Sequence, residues 1–136
     1  MKSNRWLFAL IVSIGVLFLF SCDNTTGSDN RVIDSKFRGK WEIESCELYG
    51  TTYTLPCTIS GTYISSGGYE ITATSIKSYA NRNILQNAEE LYSDGDSFYN
   101  RDGQSGVTMQ INGNKATIIT LIETDYCRKV TRFSWE

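Results

Sequence analysis

The stretch Gly106 to Ile122, GVTMQINGNKATIITLI, decides the fold. Val107, Met109 and Ile111 alternate with polar residues, Asn112-Gly113-Asn114 interrupts the pattern, and Ala116, Ile118, Thr120 and Ile122 resume the period of two. Side chains of a β-strand alternate between faces, and Asn-Gly readily adopts the positive φ angles of a tight hairpin turn. The segment therefore reads as a β-hairpin with one face turned to a core. Working outward, Trp41-Glu42-Ile43-Glu44 alternates in the same way, with Trp41 and Ile43 inward and both glutamates in water. Tyr53 to Ile59 reads as a strand in which Pro56, lacking a ladder donor, demands an edge or a bulge. Tyr69 to Lys77 (YEITATSIK) is rich in β-formers and is expected to pair back on Thr62 to Ile64, and Tyr126 to Trp135 forms the last strand. Ser78 to Tyr92 is open: Ile84, Leu85, Ala88, Leu91 and Tyr92 recur at helical spacing, but a strand entering the Ser93-Asp94-Gly95-Asp96 turn fits as well.

The expected class is all-β. About eight antiparallel strands in the segment 37–136 can close into an up-and-down barrel, which removes exposed sheet edges.

What precedes this domain is of another kind. Trp6 to Phe20 packs 13 apolar residues into 15 positions, behind Lys2 and Arg5 and ahead of Ser21-Cys22. Cations, an apolar run and a small residue in that order make a secretory signal. As a helix the run spans about 22 Å, short of the roughly 30 Å hydrocarbon core that a permanent span must cross. Residues 1–21 are thus expected to be a signal peptide with a helical apolar segment. Residues 22–36 follow as a polar tether, rich in Asn, Thr, Ser and Asp, that spans roughly 20 Å on average. Val32 and Ile33 are its apolar residues, and the alternative for them is docking on the domain as an extra edge strand.

The sequence Leu19-Phe20-Ser21-Cys22 resembles the lipobox of bacterial lipoproteins. That resemblance implies acylation of Cys22, attachment to a lipid bilayer and a place in the bacterial cell envelope, periplasmic or surface-exposed. The start of the first strand, Phe37-Arg38-Gly39-Lys40-Trp41, resembles the Gly-x-Trp opening of lipocalins and their calycin relatives. In that superfamily a basic residue near the final strand packs across the tryptophan, which implies Arg128 or Arg132 in that role here.

Composition narrows the chemistry. The chain has 136 residues, 13 basic against 15 acidic, four cysteines, one proline and no histidine. Without Lys2 and Arg5, 11 basic residues face 15 acidic ones, a formal charge of −4 that argues against a nucleic-acid partner. Lacking histidine, the chain has neither the usual general base near neutral pH nor the commonest zinc ligand. No catalytic residue, metal or cofactor is assigned, and the chain is not read as an enzyme. The loop Asp94 to Gly103 gathers three acids and Asn100, but it has no EF-hand spacing, and Asp-Gly pairs are ordinary turn chemistry. With Cys22 given to lipid, Cys46, Cys57 and Cys127 remain. Cys46–Cys57 is the favoured disulfide, across the Gly50-Thr51-Thr52 turn, and Cys127 with Cys46 is the alternative. Strict alternation from Trp41 turns Cys46 outward, so the favoured pair needs a bulge or a changed register.

The functional expectation is a membrane-anchored, lipocalin-like barrel that binds a small, partly apolar ligand. Trp41, Ile43, Tyr69, Ile71 and Met109 are expected to supply apolar area, and Arg128 or Arg132 to meet an anionic group. The rival expectation is a protein-interaction module, an enzyme inhibitor or adhesin, with a filled core and contacts through the loops of residues 94–106.

Overall fold

A computed structural model of the chain describes residues 30–136; the signal segment, Cys22 and most of the tether lie outside the described residues. Within them are twelve strands and a short 3-10 turn at Ser35–Phe37, with no α-helix. The strands are β1 (Gly39–Leu48), β2 (Thr51–Thr54), β3 (Cys57–Ile59), β4 (Thr62–Ile64), β5 (Gly67–Ile71), β6 (Ile76–Ala80), β7 (Asn83–Ala88), β8 (Tyr92–Asp94), β9 (Ser97–Tyr99), β10 (Ser105–Asn112), β11 (Lys115–Ile119) and β12 (Glu123–Val130). The hairpin expected from Gly106 to Ile122 is β10–β11. Met109 lies opposite Ile118 and Asn112 opposite Lys115, which leaves a Gly113-Asn114 turn with Gly113 at φ +65°.

The ten-stranded antiparallel sheet runs β7-β6-β5-β1-β12-β11-β10-β9-β8, with β2 added beside β1. It curls into a half-barrel. The first and last strands pair along their length, from Lys40 opposite Val130 to Leu48 opposite Glu123. An eight-stranded closed barrel is not what forms, because the edge strands β7 and β8 are not hydrogen-bonded to each other. They are joined by Glu89-Glu90-Leu91, and the Leu91 N–H donates to the Thr74 carbonyl instead of extending a ladder.

The N-terminal segment spans this seam. The Ile33 N–H donates to Ala73 O (2.7 Å), Ser93 N–H donates to Val32 O (3.2 Å), and the Arg38 guanidinium holds Ile33 O through Nε (3.0 Å) and Nη2 (2.8 Å). Ile33 is fully buried whereas Val32 is 42% exposed. The docking alternative thus holds for Ile33, without forming a strand.

Several expected strands are broken by local chemistry. Tyr53 to Ile59 divides into β2 and β3 at Leu55-Pro56, where proline cannot donate to a ladder. Tyr69 to Lys77 divides at Thr72–Ser75, where Thr72 Oγ1 accepts from the Ser75 N–H (3.0 Å) and closes a turn. The resulting β5 pairs with β1 and β6, and β4 pairs with β3, so the expected pairing of these strands with each other is corrected. Ser78 to Tyr92 is extended, not helical. The last strand stops at Val130, and the tail folds back over the sheet, with Phe133 buried and stacked on Trp135 at 4.3 Å.

Both ends of the concave face are covered. At one end the Trp41 indole donates to Phe37 O (2.9 Å), and Phe37 meets Phe98 edge-on at 4.9 Å. At the other, hairpin β3–β4 sends Ile59 and Ile64 into the same core. Asn81, in the β6–β7 turn, holds that hairpin by accepting from the Ser65 N–H (2.7 Å) and donating to Tyr63 O (3.2 Å). Burying large apolar side chains stabilises by about 1.5–3 kcal/mol each, so this common core is what fastens hairpin and N-terminal segment to the sheet.

Candidate functional site

Trp41, Ile43, Tyr69, Ile71 and Met109 are all buried in the core. Tyr69, Ile71 and Met109 meet across a narrow interior gap together with Ile76, Phe98, Val107 and Ile118. Its walls are packed too tightly for a water molecule to sit inside. Trp41 and Ile43 lie elsewhere in the core and do not line it.

The two arginines do not join this face. Arg128 Nε lies 3.3 Å from Glu44 Oε2 on the solvent side, and Arg132 Nη2 donates to Glu136 O beyond the strand. The cation across Trp41 is instead Lys129, with Nζ 5.1 Å from the ring centroid. Strand parity explains the correction: Lys129 is the register partner of Trp41 and shares its face, while its neighbour Arg128 faces the other way. Gly39 makes room, since a Cβ there would lie 3.0 Å from Lys129 Cε, and its φ of +124° suits glycine alone.

The unexpected feature of the concave face is polar. Glu123, Asp125 and Cys127 alternate inward along β12. Asp125 sits in register between Cys46 on β1 and Ile118 on β11, and Glu123 lies opposite Leu48. From β5, across β1, the Tyr69 hydroxyl donates to Asp125 Oδ2 in a short hydrogen bond. Glu123 is 3% exposed and Asp125 fully buried, yet both carboxyl oxygens of Glu123 and Oδ1 of Asp125 lack a well-formed hydrogen bond. Ser78 Oγ, beside Tyr69 in register on β6, is likewise buried without a partner.

Burial dominates the acid–base behaviour of this cluster. Desolvation, and then the charge of Asp125, hold the Glu123 proton far above the usual carboxylate range. Asp125 is raised from 3.8 to about 6, because desolvation outweighs the hydrogen bonds from Glu123 and Tyr69 that favour its anion. The Tyr69 hydroxyl is pushed well above its ordinary value by burial and by the Asp125 charge. At neutral pH the cluster is thus a neutral Glu123 beside an ionised Asp125 that accepts from Tyr69.

Cys46, Cys57 and Cys127 are free thiols here. A bulge between Ile43 and Ser45 supplies the register change that turns Cys46 inward, where it is 1% exposed. Burial, then the charges of Asp125 and Cys57, push its thiol up to about 12, and Cys127 is raised well above 9.0, chiefly by burial. Neither is a ready nucleophile. In the Asp94 to Gly103 loop, Asn100 Oδ1 accepts from the N–H groups of Asp102 and Gln104, both at 3.0 Å. That is turn chemistry, and among the described residues no group of three His, Cys, Asp or Glu side chains is arranged to hold a metal ion.

The Glu123–Asp125 pair lies ahead of Tyr126, where the sequence places the start of the last strand, whereas β12 begins at Glu123. Period two counted backward from Cys127 places both acids on the inner face, and that was the available signal. In comparisons with known families, curated proteins and solved structures, the chain matches no family model, no curated protein and no solved structure.

Proposed function

We propose that this chain is an envelope lipoprotein, anchored by acylated Cys22, whose lipocalin-like domain binds a small, partly apolar ligand on the concave face. The single observation that carries the reading is the set of buried polar atoms on Glu123, Asp125 and Ser78 that lack a well-formed hydrogen bond, next to the apolar side chains of Tyr69, Ile71 and Met109. Unpartnered buried carboxyl groups cost stability that an apolar core would not, so a ligand is a physical reason to keep them. The polar end of that ligand would donate hydrogen bonds or carry a positive charge, since the inward groups are acids and hydroxyls. The arginines expected to meet an anion stand outside. The Gly39, Trp41 and Lys129 arrangement supports the calycin likeness. Entry requires the packed interior to open, because the closed interior has no vacancy of ligand size.

Native mass spectrometry of protein taken from its own membrane tests this reading. A co-purifying small molecule that is lost in Glu123→Gln and Asp125→Asn supports it. Binding of hexanoate in preference to hexylamine and hexanol would contradict the proposed polarity.

The tight interior favours a second reading, a protein partner met at the rim. Tyr49, Tyr63 and Leu121 are exposed there by 66%, 60% and 78%. Tyr49 and Leu121 occupy neighbouring turns, because β1 and β12 are paired at that end. A mass-spectrometric blank, combined with crosslinking to one envelope protein that Leu121→Asp abolishes, would select this reading over the first.

A further inference from the structure

Hairpin β3–β4 is a sheet of its own, attached to the ten-stranded sheet by side chains and by its two connections. On one side it follows β2, whose pairing on β1 sets Tyr53 opposite Cys46. The Leu55 N–H extends that pairing to Glu44 O at 3.0 Å, after which the chain turns at Pro56 and Cys57 opens the hairpin. Cys46 turns inward at the β1 bulge, and Cys57, two residues past the Leu55–Glu44 hydrogen bond, packs against the core cluster that contains Cys46. The charge of Cys57 is the smallest of the causes that raise the Cys46 thiol, after burial and Asp125. Cys127 lies farther along β12, in register with Ile43 and Ala116.

We propose that Cys46 and Cys57 are the thiol pair of a disulfide that fastens hairpin β3–β4 over the end of the concave face, with Cys127 left as a buried free thiol. The reaction is dithiol–disulfide exchange with an oxidising disulfide, for which oxidised glutathione is the probe. Half-buried Cys57 loses its proton and attacks one glutathione sulfur, forming a mixed disulfide and expelling one glutathione thiolate. The Cys46 thiolate then attacks the Cys57 sulfur and expels the second glutathione. Two protein thiols are oxidised, one glutathione disulfide is reduced to two thiols, and the two protons leave with them. The second step is slow, because burial leaves little Cys46 thiolate.

The test uses the full chain in glutathione redox buffers, with intact mass and a digest in which all four cysteines are mapped. Cleavage after Glu47 separates Cys46 from Cys57, which trypsin alone leaves on one peptide between Lys40 and Lys77. The expected result is a loss of two mass units, a Cys46–Cys57 crosslinked peptide and an unmodified Cys127. Cys127→Ser should oxidise like the parent, and Cys46→Ser should stop with glutathione retained on Cys57. Hydrogen exchange of residues 58–63 should be slowed at least tenfold by oxidation. A bridge that includes Cys127 or Cys22, three free thiols at an oxidising poise, a glutathione adduct that persists on the parent chain, or unchanged exchange in the hairpin would overturn the proposal.

Discussion

Glu123 and Asp125 give the protein an inverted response to pH. Both hold their protons more tightly folded than unfolded, so the folded state binds more protons and stability falls as pH rises. The contribution from Asp125 is complete below its unfolded value near 3.8 and is lost as pH passes through about 6. Glu123 continues the erosion above that, since it stays protonated in the folded chain while the unfolded chain is already ionised. With no histidine in the sequence, no other side chain of ordinary pKa titrates between pH 5 and 8, and the slope there belongs to this pair. Urea midpoints measured across that window should fall steadily, and Glu123→Gln should flatten most of the fall while raising the midpoint at pH 7.5. Stability that climbs over the same window would refute the assignment. A second prediction concerns the end at Trp41. Lys129→Met removes a partly exposed cation from the indole and should cost about 0.5–1 kcal/mol. Gly39→Ala, which forces an unsuitable φ and crowds Lys129, should cost more, about 1–3 kcal/mol in thermal unfolding.

At the level of elements, legibility followed the chemistry of the turns. Where Asn112-Gly113-Asn114 dictates a hairpin, sequence and structure agree on the pairing and on Val107, Met109, Ala116 and Ile118 as inward residues, but β11 stops at Ile119 and the expected extension over residues 120–122 is a turn into β12. Where the breaker is weaker, in Thr72–Ser75 or at Leu55-Pro56, two strands look like one, because β-rich composition does not mark a turn closed by a threonine hydroxyl. The β1 bulge reverses the inward and outward alternation from Ser45 onward, and no residue type announces it; only the requirement that Cys46 face inward points to it. The tail past Val130 was unreadable for a related reason. Phe133 is apolar and aromatic like a strand residue, yet it packs over Gly68, where a Cβ would lie 2.8 Å from its ring and 2.9 Å from the Trp41 carbonyl oxygen. The tail is also held by Glu42, which accepts from Ser134 N–H (2.9 Å) and Oγ (2.6 Å). Gly68→Ala should therefore expel Phe133 and lower stability by about 2–4 kcal/mol. The same change in a chain already carrying Phe133→Ala should cost less, with the clash against the Trp41 carbonyl remaining, and a double-mutant cycle with no coupling between the two sites would show that the tail is not seated there.

For the molecule as a whole, the position of the seam decides where the folded unit starts. The open side between β7 and β8 has no ladder, and the segment of residues 31–34 bonds to Ala73 on one side of it and to Ser93 on the other. Ile33 is fully buried behind them, so among the described residues the folding unit begins near Arg31. Ile33→Ala should cost about 2–5 kcal/mol, as a large-to-small change at a fully buried site does. A fragment of residues 31–136 should unfold in urea at the midpoint of the full chain. A fragment of residues 37–136 loses Ile33, its two backbone bonds and the Arg38 clamp together, and should either unfold far earlier or show strand content without fixed aromatic packing in near-ultraviolet circular dichroism. Equal midpoints for the two fragments would mean that the seam holds without its N-terminal cover, and that β7 and β8 find each other in solution after all.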